Sequence, residues 1–331
     1  MLFIIFAITT LTFGGKFVQG GVSSYARGSI YFDMSETVEN GTVNVEIGNA
    51  NNKLDFFPYA ERNITNYKAL KKEDGDSFYH IALTADQLAA LRTSTAPNPS
   101  SYQPQCTGVG VAWEDGLYGL LGYTVKAVSD DNIEPSITYL LRSTPETIHY
   151  IKDGNEVPDE LKDNFTDDDI EQSCTGDNLI YATYSIHRGG IVDTTCVLNT
   201  VLPDKQFECD DTITTQTYKK YLSQYRIGEF KSASYKEVKQ MVARFGVVRV
   251  KQVGLIVGWQ KISGVDNWIV AQQREDKYSW VDVPIDLNQS FFEGTVIASD
   301  ELTGTDGVQT LRVASWVVFI SLLLPALALF F

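Results

Sequence analysis

The two ends of this chain constrain it most. Residues 313–331, VASWVVFISLLLPALALFF, hold no charged side chain. They follow a polar stretch, DELTGTDGVQTLR, which small residues, IASD, run into. Small site, polar spacer and apolar tail together make the pattern of a glycolipid (GPI) attachment signal. A spacer of about 8–12 residues counted back from Val313 places the lipid on Ala298 or Ser299, with Gly304 as a nearer site. The alternative is a single C-terminal transmembrane helix. At the other end, MLFIIFAITTLTF followed by GGKFVQGG is too short to span a bilayer and suits a secretory signal. Its basic leading residues are missing. Residues 1–20 are assigned to it, with Gly14 as a second cleavage point. The expected destination is the outer face of the cell membrane.

Secretion gives meaning to residues that would otherwise carry little. Cys106, Cys174, Cys196 and Cys209 allow three pairings in an oxidising compartment. Four Asn-X-Ser/Thr sequons, at Asn40, Asn63, Asn164 and Asn288, become glycosylation candidates on surface loops. The net charge of -15 and pI near 4.6 argue against nucleic acid, which demands a basic face. The densest acidic run, DNFTDDDIEQ (163–172), lacks the alternating ligands and turn glycine of a calcium loop and is expected to be a solvated loop or helix start. No His, Cys and carboxylate fall at metal-ligand spacing, so neither a metal nor a cofactor is implied.

The patterning is mixed. RGSIYFDMS and GTVNVEIGN alternate apolar and polar residues around NGT, as a strand-turn-strand would. SFYHIALTADQLAALRTS predicts a strand and a short helix, with Thr84 or Asp86 as its cap. TAPNPSSYQPQ (95–105) has the prolines of a linker. PSITYLLRSTPETIHYI suggests a buried helix interrupted at Pro145, and NLIYATYSIHR carries helical spacing. SYKEVKQMVARFG predicts a well-capped helix: Ser234 and Glu237 form a capping box, Gly246 stops it, and Val238, Met241, Val242 and Phe245 make an apolar stripe. VVRV, GLIVGW, NWIVAQQ and YSWVDVPID then read as strands. The fold class is α+β.

The order of these patterns resembles the papain-like cysteine peptidases over residues 106–290. EQSCTGDNLIYATYSIHRGGI matches the family's Cys-x-Gly-Gly element, helix and Gly-Gly turn at Cys174, Gly176, Gly189 and Gly190, with Asp177 for the second glycine. SYKEVKQMVARFGVVRV is similar to the helix running into its Gly-Pro-Val strand, with Val247 for the proline. QVGLIVGW is similar to His-Gly/Ala-Val-x-x-Val-Gly-Tyr, and WIVAQQ to Trp-x-Val-Lys-Asn-Ser-Trp. The resemblance implies a helical half against a β-rich half; outside it, residues 21–105 read as a small β-rich N-terminal domain with its linker, 291–312 as a spacer and 313–331 as the tail.

The departures shape the functional expectation. The family uses a thiolate, an imidazole, an orienting amide and an oxyanion-donating glutamine. By the resemblance, Gln252 stands for the histidine and Gln272 for the asparagine. The nucleophile is expected near EPSIT, which offers Ser136, Ile137 and Thr138 but no cysteine; upstream, KAVSDD has no glutamine. Glutamine has no proton that titrates near neutral pH and is no general base. His80, His149 and His187 lie in unmatched places and read as structural. The family's long excursion before the histidine is nearly absent here. Cys174 matches a family cysteine whose usual partner sits just before the nucleophile; Cys106 is the available substitute. Cys196 and Cys209, where the family also has a bridge arm, are the second expected pair. The implied function is a non-catalytic surface glycoprotein that binds a peptide or protein through a degenerate cleft. Two alternatives stand beside it: a hydrolase using Ser136 or Thr138, and a surface adhesion or coat glycoprotein of unrelated fold.

Overall fold

The computed structural model describes residues 25–33, 38–39, 41–53, 59–70, 78–81, 85–93, 106–210, 218–274, 277–287 and 292–299. Residues 1–20, 95–105, 300–312 and 313–331 lie outside them, whereas residues 292–299, expected as the start of the spacer, form a strand of the main sheet. In chain order the elements are β1 (Ser29–Asp33), β2 (Val38–Glu39), β3 (Thr42–Glu46), β4 (Tyr59–Asn63), β5 (Phe78–His80) and α1 (Ala85–Thr93). Next come α2 (Thr107–Glu114), α3 (Leu117–Ser129), α4 (Ile137–Arg142), β6 (Thr147–Lys152), β7 (Asn155–Glu156), α5 (Asp159–Lys162), β8 (Asp168–Asp169) and α6 (Ala182–Gly189). The chain continues with β9 (Tyr225–Ala233), α7 (Tyr235–Phe245), β10 (Val248–Val250), β11 (Gly254–Ile262), β12 (Val265–Arg274), β13 (Lys277–Pro284) and β14 (Phe292–Ser299).

One antiparallel sheet organises the molecule, in the order β13-β12-β11-β10-β14-β9-β1-β4, with β5 joined to the far half of β11. Both faces are covered. Val238, Met241, Val242 and Phe245 of α7 pack with Ile256, Trp259, Trp268 and Val270 on one face. Helices α2 and α3 pack with Leu255, Val257, Ile269 and Ala271 on the other. Strand β12 is therefore buried on both sides from Asn267 to Ala271, which explains its unbroken apolar run. Helix α7 forms as its sequence predicts. Ser234 Oγ accepts from Glu237 N (3.3 Å), Glu237 Oε2 accepts from Ser234 N (2.6 Å), and Gly246 ends the helix at φ +84°.

The N-terminal segment differs from expectation. Its strands do not form a sheet of their own, as a separate domain over 21–105 would require. Strands β1 and β4 extend the main sheet beyond β9, and β5 pairs with β11. RGSIYFD does not pair with GTVNVE across the NG turn. That turn joins β3 to the short β2, and β3 lies parallel to β6 in a second sheet, β2-β3-β6-β7 with β8. Alternation marks a strand but not its partner: β1 pairs with β4 in the same segment and also with distant β9, while β3 pairs with distant β6. At the β5 junction Gly258 is obligatory: a Cβ there would sit 2.3 Å from Tyr79 O. Tyr79 stacks on Trp259 with ring centroids 4.9 Å apart.

The predicted helix over PSITYLLRSTPETIHYI also divides. Only Ile137–Arg142 is helical; Thr147–Lys152 is strand β6. The acidic run is more than a solvated loop. It supplies β8 and partners for β6: Asp167 meets His149 Nδ1 (2.9 Å), Asp168 accepts from Tyr150 Oη (2.8 Å) and Lys53 Nζ (2.8 Å), and Asp169 accepts from Thr147 Oγ1 (3.2 Å).

Candidate ligand cleft

Helix α2 starts at a covalent anchor. Cys106 is bonded to Cys174, and Cys196 to Cys209, so these are the pairings among the three the sequence left open. Gly108 N donates to Cys174 O at 2.9 Å. A Cβ on Gly108 would meet Leu141 Cδ1 at 2.7 Å, and one on Gly176 would meet Val111 Cγ1 at the same distance. The two glycines let the helix start and the Cys174 loop lie directly against each other.

The helix breaks at Asp115–Gly116, where Gly116 takes φ +72°, and resumes as α3. The joint lies over the sheet. A Cβ on Gly116 would lie 3.7 Å from Arg249 Nε. Arg249, Thr295, Glu229 and Tyr31 are register partners across β10, β14, β9 and β1, so their side chains share the face toward α2 and α3. Burial pushes Asp115 up to about 6 against the opposing pull of Arg249. Burial also raises Glu229 and lowers Arg249. The Thr295 hydroxyl is buried there without a hydrogen-bond partner.

An aromatic group ties the helices to the strand ends. Tyr278 packs on Trp113 (4.6 Å between centroids), and its hydroxyl oxygen accepts from Gly119 N of α3 at 3.0 Å. Trp280 Nε1 donates to Tyr123 Oη at 3.0 Å. Gln273 completes the tie. With its amide turned to pair donors with acceptors, it donates to Trp113 O (2.9 Å) and accepts from Trp113 Nε1 (2.7 Å).

The positions singled out from sequence separate into two groups. Gln252 lies exposed in the short turn between β10 and β11, consistent with the missing excursion before it. Gln272 does not join it. It shares the α7 face with Trp268 and Val270, and its Oε1 accepts from Arg274 Nη2 (2.9 Å). The glutamine that reaches α2 is its neighbour Gln273, the register partner of Tyr278. Parity would have found it: Ile269 and Ala271 are odd-numbered and face the helices, and so is Gln273.

The region expected from the resemblance to hold a nucleophile lies inside the core. Ser136, Ile137 and Thr138 are fully buried at the start of α4. Ser136 Oγ caps that helix by accepting from Tyr139 N (3.2 Å), and it lies 3.1 Å from Thr138 Oγ1. Thr138 Oγ1 donates to Leu198 O (2.7 Å), while Asn199 Oδ1 accepts from Ile137 N (2.7 Å). These groups form a buried capping network. The histidines lie elsewhere: His80 buried in β5, His149 in β6, His187 in α6. Among the described residues no three His, Cys, Asp or Glu side chains gather as a metal site.

Asn63 and Asn164 are exposed; Asn40 and Asn288 lie outside the described residues. Ala298 is buried within β14, and Ser299 is that strand's last residue. Gly304 lies outside the described residues. No described helix is long and apolar enough to cross a membrane.

No family model and no curated protein matches the chain. Solved structures do. A mite allergen, from work on the limited antibody cross reactivity between Blo t 1 and Der p 1, is 13% identical over 69% of this chain and 72% of its own, with a TM-score of 0.36. A procathepsin B from Trypanosoma congolense is 13% identical over 75% and 91%, at 0.29. The proform of the ragweed pollen allergen Amb a 11, a cysteine protease, is 11% identical over 67% and 75%, at 0.31. These neighbours are papain-like cysteine proteases, and the overlaps are long in sequence but loose in space.

Proposed function

We propose that this chain is a non-catalytic, papain-like surface glycoprotein, held to the membrane by a lipid and binding a peptide or protein in the gap between the start of α2 and the strand ends of β10 to β13. The observation that carries the reading is chemical. All four cysteines of the chain stand in disulfides, so no thiolate is available to attack a carbonyl.

In this reading the Cys106–Cys174 bridge moves the position expected for a nucleophile. In the resembled family the partner of Cys174 precedes the nucleophile, so Thr107, Gly108 and Val109 fall there rather than Ser136. Val109 is fully buried in the core and Gly108 has no side chain. The exposed Thr107 hydroxyl would need a base, and Gln252 cannot be one. With the frame moved, the sequence before the helix is SSYQPQ, and its Gln103 and Gln105, outside the described residues, are the glutamines that precede it. Gln273, facing α2, takes the orienting amide's place that the sequence assigned to Gln272. Amides that hold carbonyls, beside a missing nucleophile, favour binding over turnover.

The test is to incubate the purified full-length protein with fluorogenic peptides and an irreversible thiol-directed inhibitor. The reading expects neither turnover nor labelling. Turnover lost in Thr107→Ala would show an active hydrolase instead.

A further inference from the structure

We propose that the β11–β12 hairpin tip is a membrane-contacting prong that dips into the lipid interface when the chain is anchored. The proposal rests on the lipid anchor of the preceding section. Seven large apolar side chains are exposed among the described residues, and three gather at one end of the main sheet: Ile262 (41%), Val265 (53%) and Leu287 (55%). Ile262 and Val265 are register partners closing the hairpin around Ser263–Gly264. Strand β13 runs antiparallel to β12, so Leu287, just past its end, lies at this same end.

The end of β14 is there too. Val250 pairs with both Gly254 and Gly294, so β14 runs parallel to β11 with residue 294 level with 254. Ser299 is then level with residue 259, and the hairpin continues to Ile262, three residues farther (262 − 259). That is an overhang of about 10 Å at about 3.3 Å per residue. Strand β11 lies two places from β14, a lateral offset of about 10 Å. The chain leaves β14 toward the sites expected to carry the lipid, Ser299 at the strand end or Gly304 five residues on. Five residues reach at most about 17 Å, so the lipid holds this end of the sheet at the bilayer surface.

The chemistry of the tip suits that surface. Ile262 and Val265 flank a two-residue turn with Gly264 at φ +85° and Ser263 at φ +50°. Behind them stands Lys261, half-exposed and 3.8 Å from Asp266, which also meets Lys239 at 3.7 Å. The apolar tip residues are flanked at once by charges, Lys261 and Asp266 beside the turn and exposed Asp286 beside Leu287, the apolar-beside-charged order of an interfacial segment.

Since the four native cysteines are all paired, Ser263→Cys provides a unique thiol at the tip. The full-length lipid-anchored chain carrying it is labelled with a polarity-sensitive fluorophore and reconstituted into phosphatidylcholine vesicles with and without nitroxide lipid. The measurement is made in an Asn288→Gln background, so that no glycan beside Leu287 decides it. The expected result is a blue-shifted label quenched by nitroxide lipid, with the inserted-to-aqueous ratio falling roughly tenfold in Ile262→Ser/Val265→Ser. A chain that floats with the vesicles while its label reports water overturns the prong and leaves the anchor standing. Shielding that follows protein density and ignores nitroxide lipid overturns it in favour of contact with a second copy. A chain that does not float with the vesicles refutes the anchor, and the prong with it.

Discussion

Replacing the Cys106–Cys174 pair by serines should cost more stability than replacing Cys196–Cys209, for a reason set by chain topology. The first bridge spans a sequence separation of 68 and the second one of 13. The chain-entropy relation, -2.1 - 1.5R ln n cal/mol/K, gives about 4.4 kcal/mol for the longer loop and about 3 kcal/mol for the shorter at room temperature. The difference, about 1.4 kcal/mol, is a factor of ten in the folding equilibrium. The long bridge also holds α2 against the Cys174 loop, so its loss should free the helix start on which the proposed cleft depends. Both double-serine variants would be unfolded in guanidinium with tryptophan fluorescence as the probe. Trp113, Trp259, Trp268 and Trp280 all lie in or against the sheet's packed faces. If the short bridge proved worth as much as the long one, the argument from loop closure would fail for this protein. If the long-bridge variant kept full peptide affinity, α2 would not be the wall of the site.

Three further outcomes follow from the packing. Gln273→Ala should cost about 1 kcal/mol by leaving Trp113 Nε1 without its acceptor, whereas Gln272→Ala should stay within a few tenths, as thermal unfolding would show. Gly258→Ala should cost about 2 kcal/mol or more, because its Cβ meets Tyr79 O; faster amide exchange across β5 and β11 would report the displaced strand. Asp115 has a folded pKa raised from 3.8 to about 6. Its share of stability is therefore complete below about pH 4 and declines as pH rises through 6. Discounted for its half-exposed position, the loss is about 1 kcal/mol, and Asp115→Asn should abolish that part of the pH dependence in urea midpoints.

What the sequence could reveal divides along physical lines. Helix α7 was legible because all its determinants are local: cap, capping box, stripe and stop glycine lie within thirteen residues (234–246). The two strand signatures were legible because burial on both faces leaves an apolar run whatever the topology. The burial of Ser136, Ile137 and Thr138 was not, because the groups that bind them, Leu198 and Asn199, lie about sixty residues farther along the chain. Gln272 and Gln273 face opposite sides of β12, because in a strand one residue turns the side chain to the other face. The N-terminal strands were seen, but their partners, fixed by tertiary contact alone, were not.

The central claim is a cleft that holds peptides without cutting them. The most direct measurement is to pass a defined peptide mixture over the immobilised full-length protein and weigh what elutes by mass spectrometry, for the native chain and for a Gln252→Ala/Gln273→Ala variant. The account predicts that a subset is retained and recovered intact, and that the variant retains less. Peptides recovered as two fragments from the native chain, or retained equally by both proteins, would contradict it.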